Sequence, residues 1–467
     1  MLPDDVLLDI FHFHVVQPWE ERKHEEKTMK AWQSLVHVCR RWRSVVFGSP
    51  RRLNLRLVCS SSTPAGDTAD IWPALPLVIE DWNDDIGSVD NIVALLERSD
   101  LVRRITQITL WGLSSSQLED TSEAMQVPFP ELTVLLLHRY DGNEQVLPLS
   151  DSFLGGSAPQ LRSLYLNYIP YPGLPKLLLS ATHLTDLHLH DIPHSGYISP
   201  EAMVACLSTL TSLERLSLGF ESPLSRPDME SRRLRPQTRT VLPVLGLFRF
   251  RGVGEYLEDL VACIDAPRLG SLDITFFNDI VFDTPQLTQF IRLTPTFKAF
   301  DIASVVFLGY TATITLSRAH KLPNGTFKVG ISCRELDWQL SFLEQVCTSS
   351  LPPLSTLEDL YIMEGPKGRP WPQDWKDITD YAQWLELLHS FTAVKNLYLS
   401  KELAPCVVSA LQDLVGSRTT EVFPSLRNMF LEELQESGPV QGGIEKFATA
   451  RQVNSNSIAV SRWDRGY

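Results

Sequence analysis

A six-residue motif, Leu-x-x-Leu-x-Leu with close variants, recurs along most of this 467-residue chain. Its first positions are Ile105, Leu132, Leu161, Leu184, Leu213, Leu242, Leu269, Phe297, Leu357, Val394 and Leu426. The first seven intervals span 23 to 29 residues, and the later ones are 60, 37 and 32 residues. Alternate residues of a β-strand point to opposite faces, so each motif predicts a strand with its leucines on one face. The spacing leaves room for a helix that returns the chain to the next parallel strand.

This motif and its period are typical of leucine-rich repeats. The expected fold is therefore α/β, with an irregular leucine-rich-repeat solenoid, or horseshoe, over residues 75–436. The 60-residue interval corresponds to about two periods, and "TFKVGI" from Thr326 offers a strand near its middle. Eight residues after each motif start, where such repeats normally carry an asparagine ladder, this chain has residues such as Leu113, Tyr140 and Ile169. The repeats are therefore expected to be irregular.

Residues between the motif leucines are predicted to face away from the helices, on the concave side. These positions include Trp111, His138, Tyr165, Asn167, His188, His190, Phe248, Asp273, Tyr361, Met363, Tyr398 and Phe430. Aromatic side chains anchor many protein interfaces, which makes this side a candidate surface for an unknown target protein. The candidate contacts are Trp111, His138, Tyr165, His188, His190, Phe248, Tyr361 and Tyr398. The alternative, that these aromatics are scattered or covered by loops, stays open.

The charge of the chain disfavours partners that need a basic surface. Its formal net charge is −14, of which residues 1–60 carry +3 and the remainder −17. Nucleic acids and anionic membranes favour basic faces, so neither is an expected partner. The longest apolar stretch, Ile302–Ser317, is too short and too polar to cross a bilayer. The N-terminus lacks the basic region of a signal peptide.

No residue pattern indicates catalysis, a cofactor or a metal. Seven cysteines, an odd number without a Cys-x-x-Cys pair, favour a reducing compartment, so the expected location is cytoplasmic or nuclear. The histidines of one repeat, His183, His188, His190 and His194, are not an expected metal site, since only His188 and His190 share a predicted face. The motifs of serine hydrolases, phosphate-binding loops and zinc proteases are absent from the sequence.

Residues 1–58 form a distinct, mildly basic head. "LPDDVLLDIFHF" predicts an amphipathic helix, with Pro3 in its first turn and acidic residues at its N-terminus. In "LVHVCRRWRSVVFGSP" (35–50), one helical face would hold Leu35, Val38, Cys39, Trp42, Val45 and Val46. Cys39 is thus expected to be a small buried apolar residue. Residues 59–74 are predicted to be a linker, and 437–467 a tail or capping strand.

The two apolar blocks of the head resemble the F-box, most closely the form abundant in mushroom-forming (basidiomycete) fungi. The resemblance covers residues 2 to about 57, although the charged stretch 18–30 between the blocks is longer than the usual link. It implies docking on the small adaptor subunit of a cullin-RING ubiquitin ligase. The matching adaptor-contacting positions are Leu2, Pro3, Val6, Leu7, Ile10, Phe11, Leu35, Val38, Cys39 and Trp42.

Together these features predict a non-catalytic substrate-recognition subunit of an SCF-type ubiquitin ligase. A first alternative is a leucine-rich-repeat scaffold whose head only caps the repeats. A second is a nucleic-acid binder using Arg40, Arg41, Arg43, Arg51 and Arg52, which the acidic body disfavours.

Overall fold

The computed structural model describes residues 2–15, 32–49, 52–53, 55–62, 69–70, 72, 75–82, 89–140, 147–223, 239–277, 284–318, 325–333, 335–349, 354–365, 382–414, 420–432, 438–453 and 457–464. The chain divides into a first unit, residues 1–198, and a second unit, residues 199–467. Each is mixed α/β with a mostly parallel sheet. The charged stretch 18–30 and residues 63–68 of the predicted linker lie outside the described residues.

The head packs helices α1 (Asp4–Val15) and α2 (Arg40–Gly48) around one apolar cluster, and residues 32–36 between them are also helical. At its centre Trp32 is 1% exposed, and its indole Nε1 donates to the Arg56 carbonyl at 2.9 Å. The same cluster includes Leu53, Leu55 and Leu75, and Trp72 packs edge-on against Trp32 at 5.2 Å. The head and the start of the repeats therefore share one core. The predicted boundary at residue 58 is not a break, because the first strand runs through it.

Six parallel strands in chain order form the sheet of the first unit. They are β1 (Leu57–Cys59), β2 (Leu77–Asp81), β3 (Ile105–Leu113), β4 (Val134–Arg139), β5 (Ser163–Asn167) and β6 (Asp186–Ile192). The helices between them are α3 (Asp90–Leu96), α4 (Ser99–Val102), α5 (Ser115–Ala124) and α6 (Leu174–Ser180). Helix α5 begins at a capping box, in which Ser114 and Gln117 satisfy each other's backbone N–H groups.

Leucines at equivalent motif positions are paired in register across this sheet. Ile108, Leu135, Leu164 and Leu187 lie side by side on neighbouring strands, and all are fully buried. Each buried side chain of this size contributes about 1.5–3 kcal/mol as an upper bound. The predicted parallel strands with inward leucines are thus observed. This is the strand-and-helix arrangement of leucine-rich repeats.

Ten strands form the main sheet of the second unit, in the order β7-β9-β11-β14-β13-β12-β15-β16-β17-β18. They are β7 (Arg215–Phe220), β9 (Leu247–Gly252), β11 (Ser271–Phe277), β12 (Ile302–Leu308), β13 (Thr311–Ser317), β14 (Thr326–Ser332), β15 (Asp359–Glu364), β16 (Asn396–Leu399), β17 (Asn428–Leu431) and β18 (Ala459–Arg462). Two short strands, β8 (Thr240–Val241) and β10 (Ile264–Asp265), pair separately. The helices are α7 (Pro200–Leu207), α8 (Gly254–Val261), α9 (Pro285–Leu293), α10 (Leu336–Ser349), α11 (Ala382–His389), α12 (Ala404–Gln412) and α13 (Pro439–Val453).

The length of the 60-residue interval predicted two regular repeats, but the structure does not contain them there. Strands β12, β13 and β14 instead form an antiparallel meander, with β14 beside β11 and β12 beside β15. Parallel neighbours need a crossover of about a dozen residues. Only Gly309 and Tyr310 separate β12 from β13, and residues 318–325 separate β13 from β14. Both connections are shorter than a parallel crossover requires, so the chain reverses direction between these strands.

Two repeats begin three residues later than the motif search placed them. Strand pairing aligns Leu245, not Leu242, with Leu213 and Leu269, and it aligns Phe300, not Phe297, with Leu357. An odd shift exchanges the two faces of a strand. The prediction that Phe248 lies on the target-binding face is therefore wrong.

In β9 the corrected register buries the phenylalanines and exposes the arginines. Phe248 is fully buried, whereas Arg249 and Arg251 are exposed.

Residues 437–467, predicted as a tail or capping strand, hold helix α13 and edge strand β18, which pairs with β17. Helix α13 is fixed by Arg451, whose side chain is fully buried. Its guanidinium donates to the carbonyls of Phe423 at 2.9 Å and Pro424 at 3.1 Å. Burial lowers the pKa of this group. Arg451 thereby closes the end of the second unit.

Replacing Arg451 by methionine is expected to lower the free energy of unfolding by about 2–4 kcal/mol, because the loop carbonyls lose their buried donor. Urea unfolding followed by circular dichroism measures the loss. The control is Arg462→Met, which removes an exposed ion pair with Asp464 and should cost less than about 0.5 kcal/mol. Equal losses for both variants would contradict the role of Arg451.

Candidate protein-interaction surfaces

Helix α1 has two apolar sides, and only one of them is used inside the head. Leu7, Leu8 and Phe11 are buried in the head cluster. The opposite side carries Leu2, Val6, Ile10 and Phe13, exposed by 51, 41, 48 and 85%. Spacings of four and three residues align Val6, Ile10 and Phe13 along one face of α1, and Leu2 lies just before the helix begins. We call these four residues the α1 stripe.

The second block of the head is not one continuous helix. The chain leaves helical geometry at residues 37–39, and Cys39 is the N-cap of α2. Its extended backbone lets the Sγ accept from the Trp42 N–H at 3.5 Å. A small side chain that reaches the first free amides of a helix stabilises its start. Cys39 and Val38 are consequently exposed, and the prediction that they lie on a buried face is wrong.

Two ion pairs connect α1 to Arg41 of α2 and to Arg52, and they leave the α1 stripe exposed. Arg41 donates to Asp4 at 2.7 Å, and Arg52 donates to Asp9 at 2.6 Å. Both pairs are exposed, so each contributes at most about 1 kcal/mol. Underneath, the Phe11 and Trp42 rings meet at 4.7 Å.

The ten predicted adaptor contacts fall into two groups. Leu2, Pro3, Val6, Ile10, Val38 and Cys39 are exposed, and Trp42 is half-buried. Leu7, Phe11 and Leu35 belong to the core of the head. Phe13, which continues the stripe three residues after Ile10, was missed although its spacing indicates it.

The second candidate surface is the side of the first unit's sheet that faces away from the leucine core. We call it the first-unit open face. Trp111 and His138, on adjacent strands, stack with ring centroids 3.8 Å apart and an interplanar angle of 8°. Trp82, just after β2, stacks on Trp111 at 6.1 Å, and Tyr165 meets His190 at 5.2 Å.

An aromatic row of Trp82, Trp111, His138, Tyr165 and His190 thus runs across five neighbouring strand positions. The candidates predicted in this unit, Trp111, His138, Tyr165, His188 and His190, all lie on this face and are partly exposed. Trp82 was missed, although it continues the alternation of "LVIEDW". Burial, reinforced by the Asp191 carboxylate, raises the pKa of Tyr165.

A separate aromatic cluster lies on the outward strand positions of the second unit. Tyr361, Tyr398 and Phe430 stack across β15, β16 and β17, with centroids 4.2 and 4.5 Å apart. Trp463 packs edge-on against Tyr361 at 5.7 Å and Tyr398 at 5.5 Å. Burial, with the neighbouring Tyr398, raises the pKa of Tyr361 to about 12. The stacked rings and the Trp463 indole therefore partly cover one another.

Beside these rings runs a short ladder of polar side chains. Asn396 donates to Asp359 at 2.6 Å, and Asn428 donates to Asn396 at 2.7 Å. These residues occupy the third motif position, not the later one at which an asparagine ladder was sought. Trp463 and this ladder were not predicted, since neither follows from the leucine spacing.

The described residues contain no group of three or more His, Cys, Asp or Glu side chains that could hold a metal ion. All seven cysteines are free thiols. Burial raises the pKa of the Cys59, Cys206 and Cys333 thiols to about 11, which keeps them protonated at neutral pH. Among the described helices, none is long and apolar enough to span a membrane.

Comparison with solved structures gives weak likenesses, of which one is to a leucine-rich-repeat protein. The leucine-rich repeat-containing protein LegL7 from Legionella pneumophila aligns over 84% of this chain and 97% of its own, at 12% identity and a TM-score of 0.29. No protein-family model matches the chain. No curated protein matches it either. The leucine-rich-repeat description therefore depends on this chain's own strands, register and buried leucines.

Because Cys39 is an N-cap, its substitution is expected to affect stability in the opposite direction from the substitution of a buried cysteine. Cys39→Ser is expected to leave stability unchanged or raise it by up to about 1 kcal/mol, since serine is a preferred N-cap. The matched control is Cys206→Ser, at a buried position in α7, which should destabilise the protein. Thermal unfolding measures both. A larger loss for Cys39→Ser than for Cys206→Ser would contradict the cap.

Proposed function

We propose that this chain is the substrate-recognition subunit of an SCF-type cullin-RING ubiquitin ligase, working in the cytoplasm, the nucleus or both. Its head binds the small adaptor subunit, and the repeats bind a target protein. The chain performs no chemistry itself. It raises the local concentration of the target near the ubiquitin-loading subunit.

The observation that carries this proposal is the α1 stripe. A small head rarely leaves four large apolar side chains exposed along one helix and the residues just before it unless a partner covers them. Covering each would contribute roughly 1 kcal/mol or more, since about half of most of them is still exposed. Asp4, Asp9, Arg41 and Arg52 border the stripe with charge, as the polar rim borders an interface core.

A second candidate function is a leucine-rich-repeat interaction scaffold with no ligase role. It is favoured by the shared core, in which Leu53, Leu55 and Leu75 join the head to the first strands. In that case the head would be a cap that protects the end of the repeats. The exposed α1 stripe favours the first function, because a cap presents a polar outer face.

Co-purification with the adaptor subunit separates the two functions. Val6→Asp and Ile10→Asp place a charge in the apolar interface, so each is expected to weaken adaptor binding by at least about tenfold. Leu7 and Phe11 are unsuitable for this test, because both are core residues whose replacement by aspartate would unfold the head.

The matched control is Leu179→Asp, which charges a side chain of similar exposure, 50%, on α6. It should bind the adaptor as the wild type does. If the folded wild-type chain does not bind the adaptor, the ligase function is excluded and the scaffold function remains. Equal binding by wild type, Val6→Asp and Ile10→Asp would place the interface elsewhere.

A further inference from the structure

Within the described strands β1–β6, the first-unit open face carries aromatic and acidic side chains but no outward lysine or arginine. The described strands β1–β6 contain a single lysine or arginine, Arg139, which is buried and donates to the Tyr140 carbonyl at 3.0 Å. Two carboxylates occupy outward positions of the same strands. Glu80, in register with Thr109, is half-buried, whereas Asp186, in register with Ser163, is buried. The accessible charge that Glu80 contributes to the face is negative.

The surrounding sequence strengthens this bias. Residues 61–198 hold 6 Lys and Arg against 18 Asp and Glu, a net charge of −12 out of −14 for the whole chain. Residues 199–467 carry only −5. The negative field of the protein is thus concentrated in the repeats that present the aromatic row. Long-range attraction of this kind selects cationic partners and speeds their approach.

Two further arginines near this sheet lie at the N-terminal ends of its strands. Arg56 precedes β1 and donates to Gln107 at 2.8 Å, and Arg162 precedes β5. The aromatic row lies at the opposite, C-terminal ends, where Asp191 follows His190 and accepts a hydrogen bond from Asn167 at 3.3 Å. At the end with the rings, the described strands β1–β6 carry one arginine, Arg139, and its side chain is buried.

Aromatic rings beside carboxylates are well suited to bind guanidinium and ammonium groups. A cation within about 6 Å of a tryptophan or tyrosine ring is attracted by the ring's negative face. Trp82 ends the row and is 46% exposed, which leaves ring surface available. A neutral apolar segment would make no use of the carboxylates, and an acidic segment would be repelled by them.

We propose that the aromatic row binds a lysine- and arginine-rich segment of a partner protein, laid across the C-terminal ends of strands β2–β6. This inference deepens the target-binding half of the proposed function and does not depend on adaptor docking. The basic side chains stack on the exposed ring of Trp82, at the end of the row, and lie near Glu80 and Asp191.

The test uses the full chain and a labelled peptide of lysine, arginine and serine, with binding followed by fluorescence anisotropy. Peptides of the same length with glutamate and aspartate, or with serine and glycine, are the charge controls. The expected result is saturable binding of the basic peptide, with little binding of the other two. Trp82→Ala should weaken it about three- to tenfold through loss of one cation–π contact, although the net charge is unchanged. Glu80→Gln should weaken it at low salt.

The matched control is Trp338→Ala, which removes an indole of similar exposure, 43%, on α10 of the second unit. It should bind the basic peptide as the wild type does. If Trp82→Ala and Trp338→Ala bind equally well, the attraction is diffuse and the proposed site is overturned. Preference for the acidic or the neutral peptide would also overturn it.

Adaptor co-purification of Trp82→Ala keeps the two proposals apart. A Trp82→Ala variant that binds the adaptor and still binds the basic peptide as the wild type does overturns this inference alone. Loss of adaptor binding in the wild type, with the basic peptide still bound, overturns the ligase role alone.

Discussion

In-register pairing of parallel strands is the constraint on which the rest of this structure depends. Once Ile108, Leu135, Leu164 and Leu187 are paired, every second side chain is committed to the core. The residues between them are committed to the opposite face by the same geometry. Pairing of the leucines therefore brings Trp111, His138 and Tyr165 together, although each of these residues is 27 positions from the next in the sequence.

The same constraint explains what the sequence could and could not predict about the repeats. Where only one of the two alternating sets of strand positions is apolar, as in "LTDLHL", the strand and its buried face follow from the spacing. In "LPVLGLFRF" leucines and phenylalanines occupy both sets, so local periodicity does not show which set is buried. Tertiary pairing with β7 and β11 selects the set that buries Phe248 and Phe250. The meander of β12–β14 is set by connection lengths, which the motif does not contain.

The head shows a different limit. The first helix follows from its pattern, whereas the division of its apolar residues between a buried and an exposed side does not. The second block has the periodicity of one helix, yet it is interrupted where Cys39 caps α2. A cap depends on one side chain reaching one backbone amide, and a stripe of apolar residues gives no sign of it. Which apolar residues of α1 are core and which are exposed depends on Trp32 and on residues 53–75, which are distant in sequence.

The central claim is that the chain uses two separate surfaces, the α1 stripe for the adaptor and the first-unit open face for a target. Hydrogen–deuterium exchange of the full chain, with and without the adaptor subunit, tests this claim most directly. Exchange of residues 2–15 is expected to slow on adaptor binding, whereas exchange in strands β3–β6 is expected to stay unchanged. Protection of β3–β6 without protection of residues 2–15 would contradict it.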